Sequence, residues 1–242
     1  MKKESGYRIH GSGAKAARRS GLNSFPNSES RILNPVSRIL LCLAGLLFAS
    51  NAFAGAQIYV PLSASVRAVM QRSVSDRAAP KLAFATQYEA DAWLNEMSRR
   101  LQKRIPDAEY RTDFLITVHY ESKRAGLDPQ LMLGLIEVES GFKKYAISSA
   151  GARGYMQVMP FWVQEIGTTE HNLFHLRINL RYGCTILRHY LDMEKGDLYR
   201  ALGRYNGSLG RPEYPNLVRA AWHKNWTLPH RTADGGHRSA SG

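Results

Sequence analysis

The stretch from Asp128 to Pro160, DPQLMLGLIEVESGFKKYAISSAGARGYMQVMP, constrains this chain most, because it opens as a helix whose phase can be read. Asp128 can cap the free backbone N–H groups, and Pro129 suits the first helical position. Stepping about 100° per residue from Leu131, Leu131, Met132, Leu135, Ile136 and Val138 share one broad apolar arc, the pattern of a core-facing helix. Glu139 falls in the middle of that arc, and Glu137 falls on the far, solvent side. A carboxylate directed into an apolar face is costly to ionise and tends to hold a proton. A proton held near neutral pH is what a general acid supplies. The competing reading is that the helix stops before Glu139 and releases the side chain to water, and Ser140-Gly141-Phe142 does break the pattern there.

The continuation favours the acid. Glu139-Ser140-Gly141-Phe142 is followed by a loop of small residues, by Gly154-Tyr155-Met156-Gln157-Val158-Met159-Pro160, and later by Tyr205-Asn206-Gly207-Ser208. In this order and spacing the blocks resemble the soluble lytic transglycosylases, whose catalytic domain resembles goose-type lysozyme. The motif of that family reads Glu-Ser-x-Phe, then Gly-Leu-Met-Gln-x-Met-Pro, then Tyr-Asn-Ala-Gly. The resemblance runs from about Asp113 to Trp226, with Tyr155 in place of Leu and Gly207-Ser208 in place of Ala-Gly.

That resemblance implies an all-α, lysozyme-like helical domain that cleaves the glycan strands of peptidoglycan. It makes Glu139 the catalytic acid and base, with Ser140 orienting it. Tyr155, Met156 and Gln157 would line the sugar cleft, and Tyr205 and Asn206 would steady the N-acetyl group or the transition state. No metal or organic cofactor is implied. Most glycosidases use two carboxylates, and only Glu139 matches such a role here. In the family one Glu protonates the leaving oxygen and then deprotonates the muramic-acid hydroxyl, so that an anhydro ring forms and no water is consumed. Two other classes stay open: a hydrolase using Glu165 or Asp192 as second carboxylate, and a peptidoglycan-binding accessory protein with weak catalysis.

The rest of the chain reads as helix and leader. Residues 1–38 are basic and polar, and the apolar run Ile39 to Ala49 followed by Ala52-Phe53-Ala54 has the parts of a secretory signal peptide, with cleavage expected after Ala54. The run is too short for a membrane span, which needs about 20 residues. The expectation is therefore a periplasmic protein without a stable membrane anchor. Residues 55–105 form a short helical N-terminal segment, with a possible helix near Val66 to Met70 and a second after the capping box Thr86-Gln87-Tyr88-Glu89. Residues 106–227 form the transglycosylase domain, with Asp107 and Asp197 as helix caps, a short helix from Pro160 to Ile166, a long one from Leu176 to Met193 and a last one from Leu217 to Trp226. Residues 228–242 are a polar tail without a packing pattern.

Charge and ligand-type residues narrow the partners. Of 33 Lys and Arg and 20 Asp and Glu, residues 1–54 hold 8 and 2, which leaves 25 and 18 in the mature chain, an excess of 7. No block of Lys and Arg with interleaved aromatics appears, so nucleic acid is not an expected partner. A basic exported protein is drawn instead to anionic wall polymers, and a secretion or conjugation apparatus that must cross the wall is a possible partner. Cys184 sits in the apolar pattern of a helix and reads as a core thiol. His171 and His175 stand four residues apart but lack the Glu of a His-Glu-x-x-His site, so no metal is expected.

Overall fold

Side-chain caps begin most of the helices in residues 57–228, which are the residues described by the computed structural model. Ser63 caps α1 (Ala64–Ser75), Thr86 and Glu89 form a full capping box on α2 (Gln87–Leu101), and Asp107 caps α3 (Ala108–Arg124). Asp128 accepts from the Gln130 amide at 2.7 Å to start α4 (Pro129–Ser140). After the short α5 (Phe161–Ile166) comes α6 (Leu176–Met193), and Asp197 caps α7 (Leu198–Asn206). The last helix, α8 (Glu213–Ala221), runs into a single π-helical turn (Trp222–Trp226). No strand appears among the described residues, only isolated bridges joining Ile147, Arg153 and Val158.

Two of these elements differ from the sequence reading. The first helix is longer than the Val66 to Met70 expected, because Ser63 supplies a cap three residues ahead of it. The last helix starts at Glu213 rather than Leu217. Pro215 falls in its first turn, where the backbone N–H that proline lacks has no intrahelical partner in any case.

α4 lies at the centre, packed against α3, α8 and the π-turn, while α6 packs against α1, α3 and α7. The approach of α4 to the π-turn is close: a Cβ on Gly134 would stand 2.8 Å from the Trp222 nitrogen. The core draws Met70 and Val74 from α1 and Trp93, Met97 and Leu101 from α2 into the same cluster as Phe114, Leu135, Tyr182 and Tyr214. The segment expected to precede the domain therefore shares its core. Cys184 is a free, buried thiol, pushed up by that burial. The expected leader 1–54 and residues 229–242 of the expected tail lie outside the described residues.

Charge is also buried. Glu121 is 0% exposed and takes Arg181 at 2.9 Å, Arg124 at 3.0 Å and Arg177 at 3.5 Å. Arg181 and Arg177 also donate to the carbonyls of Asp76 and Ala78, so the cluster ties the chain after α1 to α3 and α6.

His119 is the opposite case. It is buried between Phe84, stacked at a centroid distance of 4.5 Å, and Trp93, edge-on at 5.1 Å, and neither ring nitrogen has a hydrogen-bond partner. Burial first, then the nearby Lys123 charge, pushes its pKa down to about 4. His119→Phe is expected to stabilise the fold by about 1 kcal/mol at pH 7, because an unsatisfied buried polar group is removed. The folded protein holds His119 neutral, whereas an unfolded His binds a proton below about pH 6.5. The wild type therefore loses stability as pH falls from there towards 4, and the advantage of the variant should widen over that window. Chemical denaturation of both proteins at pH 7 and pH 5 measures it, and a gap that narrows at pH 5 contradicts the assignment.

Candidate active site

Glu139 lies in the last turn of α4, which runs on through Ser140, so the helix does not stop short of it. The side chain is 7% exposed. Gly141 at φ 58° and Phe142 at φ 67° then turn the chain in two successive left-handed steps. Phe142 holds that conformation, which costs a non-glycine residue energy, because its ring is buried against Phe114, Trp226 and the Arg104 guanidinium.

The Tyr214 hydroxyl, from α8, donates to Glu139 Oε1. Tyr214 is fully buried. Burial, then the charge and hydrogen bond of Glu139, raise its pKa well above that of a free phenol, so it stays a donor throughout the working pH range. Tyr205 is raised in the same direction by burial and then by Glu139.

The loop from Ala146 to Pro160 is held by side chains that reach into its backbone. Asn179, buried in α6, accepts from the Met156 amide at 2.8 Å and donates to the carbonyls of Arg153 at 2.8 Å and Leu173 at 2.9 Å. Gly154, at φ 75°, leaves room for this clamp: a Cβ there would lie 2.4 Å from Asn179 Nδ2. Gln157 adopts φ 46° and donates to the carbonyls of Gly154 at 2.8 Å and Ala146 at 3.1 Å.

Most of the residues expected to line the cleft are parts of this scaffold. Ser140 donates to the Tyr155 carbonyl at 2.7 Å and to Ile136 at 3.2 Å, joining the Glu139 helix to the loop. Tyr155 is buried: its ring packs against Phe114, and its hydroxyl pairs with that of Tyr110 at 2.9 Å. Met156 is likewise buried, with its sulfur against Gly183 of α6. Gln157 has its amide engaged within the loop, and the Tyr205 hydroxyl donates to the Met156 carbonyl at 2.7 Å. Asn206 differs. It is 7% exposed, its amide nitrogen donates to Ser208 Oγ at 3.2 Å, and its carbonyl oxygen has no hydrogen-bond partner. The departure Gly207-Ser208 has a local reason here, since Gly207 ends α7 at φ 74° and Ser208 supplies that acceptor.

Glu137 corrects the sequence reading. It is not solvated, because Arg104 at 2.7 Å, Asn225 at 3.0 Å and the Trp226 indole at 2.7 Å all donate to its carboxylate. The π-turn after α8, folded back over α4, covers the face that helix phase assigned to water. Burial alone would raise its pKa, and the three donors more than offset this and hold it below the ordinary range. Glu137→Gln is expected to cost about 1–2 kcal/mol through lost charge-assisted bonds while leaving turnover intact. Because the folded pKa is depressed, the stability difference should vanish as pH falls below the ordinary carboxylate range. Thermal melts at pH 7 and pH 3 beside an activity assay check both halves.

The other candidate groups are engaged elsewhere. Glu165 accepts from the Tyr59 hydroxyl and from Arg67, each at 3.0 Å, and Asp192 pairs with Arg188. The His171 ring nitrogen Nδ1 hydrogen-bonds the Tyr182 hydroxyl at 2.7 Å, and His175 precedes α6. Among the described residues no group of His, Cys, Asp and Glu converges as metal ligands, and no helix is long and apolar enough to cross a membrane.

Sequence reasoning missed Tyr214 and Asn179. Asn179 carried a signal, since it lies three and seven residues before Tyr182 and Ile186 on the buried face of α6, the same polar-on-apolar pattern that singled out Glu139. Tyr214 carried only a weak one, its four-residue step to Val218, obscured by Pro212 and Pro215.

The chain is 33% identical over 98 residues to a transglycosylase of Enterobacteria phage PRD1, an alignment covering 40% of this chain and 36% of that one. It is 51% identical over 47 residues to the membrane-bound lytic murein transglycosylase C of Actinobacillus pleuropneumoniae serotype 5b (strain L20), covering 19% of this chain and 13% of that one. The protein of the same name from Glaesserella parasuis serovar 5 (strain SH0165) is 53% identical over 47 residues, with the same shares of 19% and 13%. The chain thus spans 36% or less of the length of these relatives. No solved structure gives a significant match. Residues 117–217, which hold Glu139, the Asn179 clamp and Tyr214, match the model of the transglycosylase SLT domain.

Proposed function

We propose that the protein is a peptidoglycan lytic transglycosylase that cleaves the bond between N-acetylmuramic acid and N-acetylglucosamine and leaves 1,6-anhydro ends. The observation that carries this reading is the buried Glu139 receiving the Tyr214 hydroxyl at the meeting point of the family motif blocks. Protonated Glu139 gives its proton to the glycosidic oxygen as the C1–O4 bond breaks, and the substrate N-acetyl group stabilises the cation at C1. The resulting carboxylate, held in place by the Tyr214 donor, takes the proton of the muramoyl C6 hydroxyl as O6 bonds to C1. One group thus serves as acid and then base, and the proton is returned.

The braced loop supports the site rather than performing chemistry. Its backbone is fixed by Asn179, Ser140, Gln157 and Tyr205, which is how a preorganised site is held to tolerance. Asn206, whose buried carbonyl oxygen has no hydrogen-bond partner, is the motif residue with an acceptor left for a substrate amide. A hydrolase would need a second carboxylate beside the cleft. Glu165 and Asp192 are held by Tyr59, Arg67 and Arg188, which disfavours that reading.

The chemistry requires access to the wall, and the leader read in residues 1–54 supplies export to the periplasm. General wall turnover and the local opening of a wall for a secretion or conjugation apparatus use the same cleavage, and crosslinking in intact envelopes separates the two. Mass spectrometry of products from purified sacculi tests the reaction. Anhydro ends are expected; reducing ends would establish a hydrolase, and no product a binding protein.

A further inference from the structure

Gln57 lies 60 residues ahead of the segment that matches the family, yet its side chain is built into the same loop. It is 4% exposed. Its carbonyl oxygen accepts from the Trp162 indole at 2.9 Å and from the Met159 amide at 3.3 Å, and its amide nitrogen faces the Gln157 carbonyl at 3.5 Å. Beside these contacts the Tyr205 hydroxyl holds the Met156 carbonyl at 2.7 Å.

Gln157 is the strained point of the loop, a non-glycine residue at φ 46°. Such a conformation persists only where the surroundings over-determine it. From one side it is held by its own side chain on Ala146 and Gly154, and from the other by Gln57. The pattern requires a donor and an acceptor on one short planar group, which among the side chains of this size an amide provides and a carboxylate does not. Gln57 is itself seated by the chain that follows it: Tyr59 lies edge-on to Phe161 at 5.5 Å, and Tyr59 and Arg67 both bond Glu165 of α5.

We propose that Gln57 is a positioning residue of the active site, holding the Gln157–Met159 backbone in register with the Glu139 helix. The link to Glu139 runs through that backbone, since Ser140, its chain neighbour, bonds the Tyr155 carbonyl at 2.7 Å. The inference deepens the lytic transglycosylase reading and rests on it for its kinetic half. Its structural half stands alone.

The test uses the mature chain with three variants. Gln57→Ala is expected to lower kcat on soluble glycan strands about tenfold with KM changed less than about twofold, because a site loosened by a fraction of an ångström loses rate more than affinity. Hydrogen exchange should quicken in the peptide spanning residues 154–162. Gln57→Glu keeps the shape and the acceptor but loses the donor, so kcat should fall while the Met159 amide stays protected; it also covers the case in which the alanine variant folds poorly. Thr86→Ala removes the cap of α2, which lowers stability without touching the loop, and should leave kcat unchanged.

A Gln57→Ala enzyme with wild-type kcat overturns the proposal, and so does an equal loss of kcat in Thr86→Ala at the same melting temperature, which would mark a general effect of stability. If the wild type itself releases no anhydro product, the functional reading falls and exchange alone decides: faster exchange over residues 154–162 in Gln57→Ala supports the seat, and unchanged exchange removes it.

Discussion

Glu139→Gln is expected to lower release of anhydromuropeptides by about 10³-fold or more, since one group supplies both the acid and the base and each role is worth on the order of 10²–10⁴. Gln keeps the shape of Glu and can still accept the Tyr214 hydroxyl, so the fold and binding to sacculi should persist. Its melting temperature should hold or rise, because a neutral amide replaces a group that is costly to ionise where the side chain is 7% exposed. Product release and thermal unfolding, measured beside Glu137→Gln, separate the two neighbours. Glu137→Gln should lose stability and keep activity, and Glu139→Gln the reverse. An active Glu139→Gln enzyme would overturn both the mechanism and the site.

The second large effect falls on the other deeply buried glutamate. Glu121→Ala is expected to destabilise the protein by about 3–5 kcal/mol, because removing one partner of a buried ion pair leaves the other charge uncompensated. Arg181, whose side chain is 4% exposed, would be left in that position, with Arg124 and Arg177 beside it. The loss should show as a lower denaturation midpoint and poor soluble yield, and an unchanged midpoint would mean that the cluster does not hold the fold. Glu121→Ala together with Arg181→Leu should recover part of the loss, since no charge is then stranded.

The contrast between the two glutamates separates a structural carboxylate from the proposed acid and base. Both lie on the buried face of a core helix. Glu121 meets three guanidinium groups, which favour its charged form and hold it still. Glu139 meets the hydroxyl of Tyr214, which can serve the carboxylate once the proton has left. Nothing in the spacing of either residue along its own helix distinguishes these surroundings, because Arg181 lies 60 residues from Glu121 and Tyr214 lies 75 residues from Glu139.

The sequence alone determined what is set by neighbours along the chain. The caps at Thr86, Asp107, Asp128 and Asp197 act through hydrogen bonds spanning two or three residues, and the burial of Glu139 follows from helical phase within a few turns; both are local, and both are seen in the structure. The motif blocks lie in or beside the segment that matches the transglycosylase SLT domain. Only the tertiary structure decided which motif residues have free polar groups. Tyr155, Met156, Gln157 and Tyr205 match or stand in the motif, yet they are buried and brace the loop. Tyr214 on α8 reaches Glu139, and Gln57 ahead of α1 reaches Gln157, across 75 and 100 residues of chain. Glu137 shows the same limit from the other side. Its helical phase points away from the core of its own helix, but a turn folded back from residues 225 and 226 covers it. Phase specifies the direction in which a side chain leaves its helix, and the packing of distant segments specifies what it meets there.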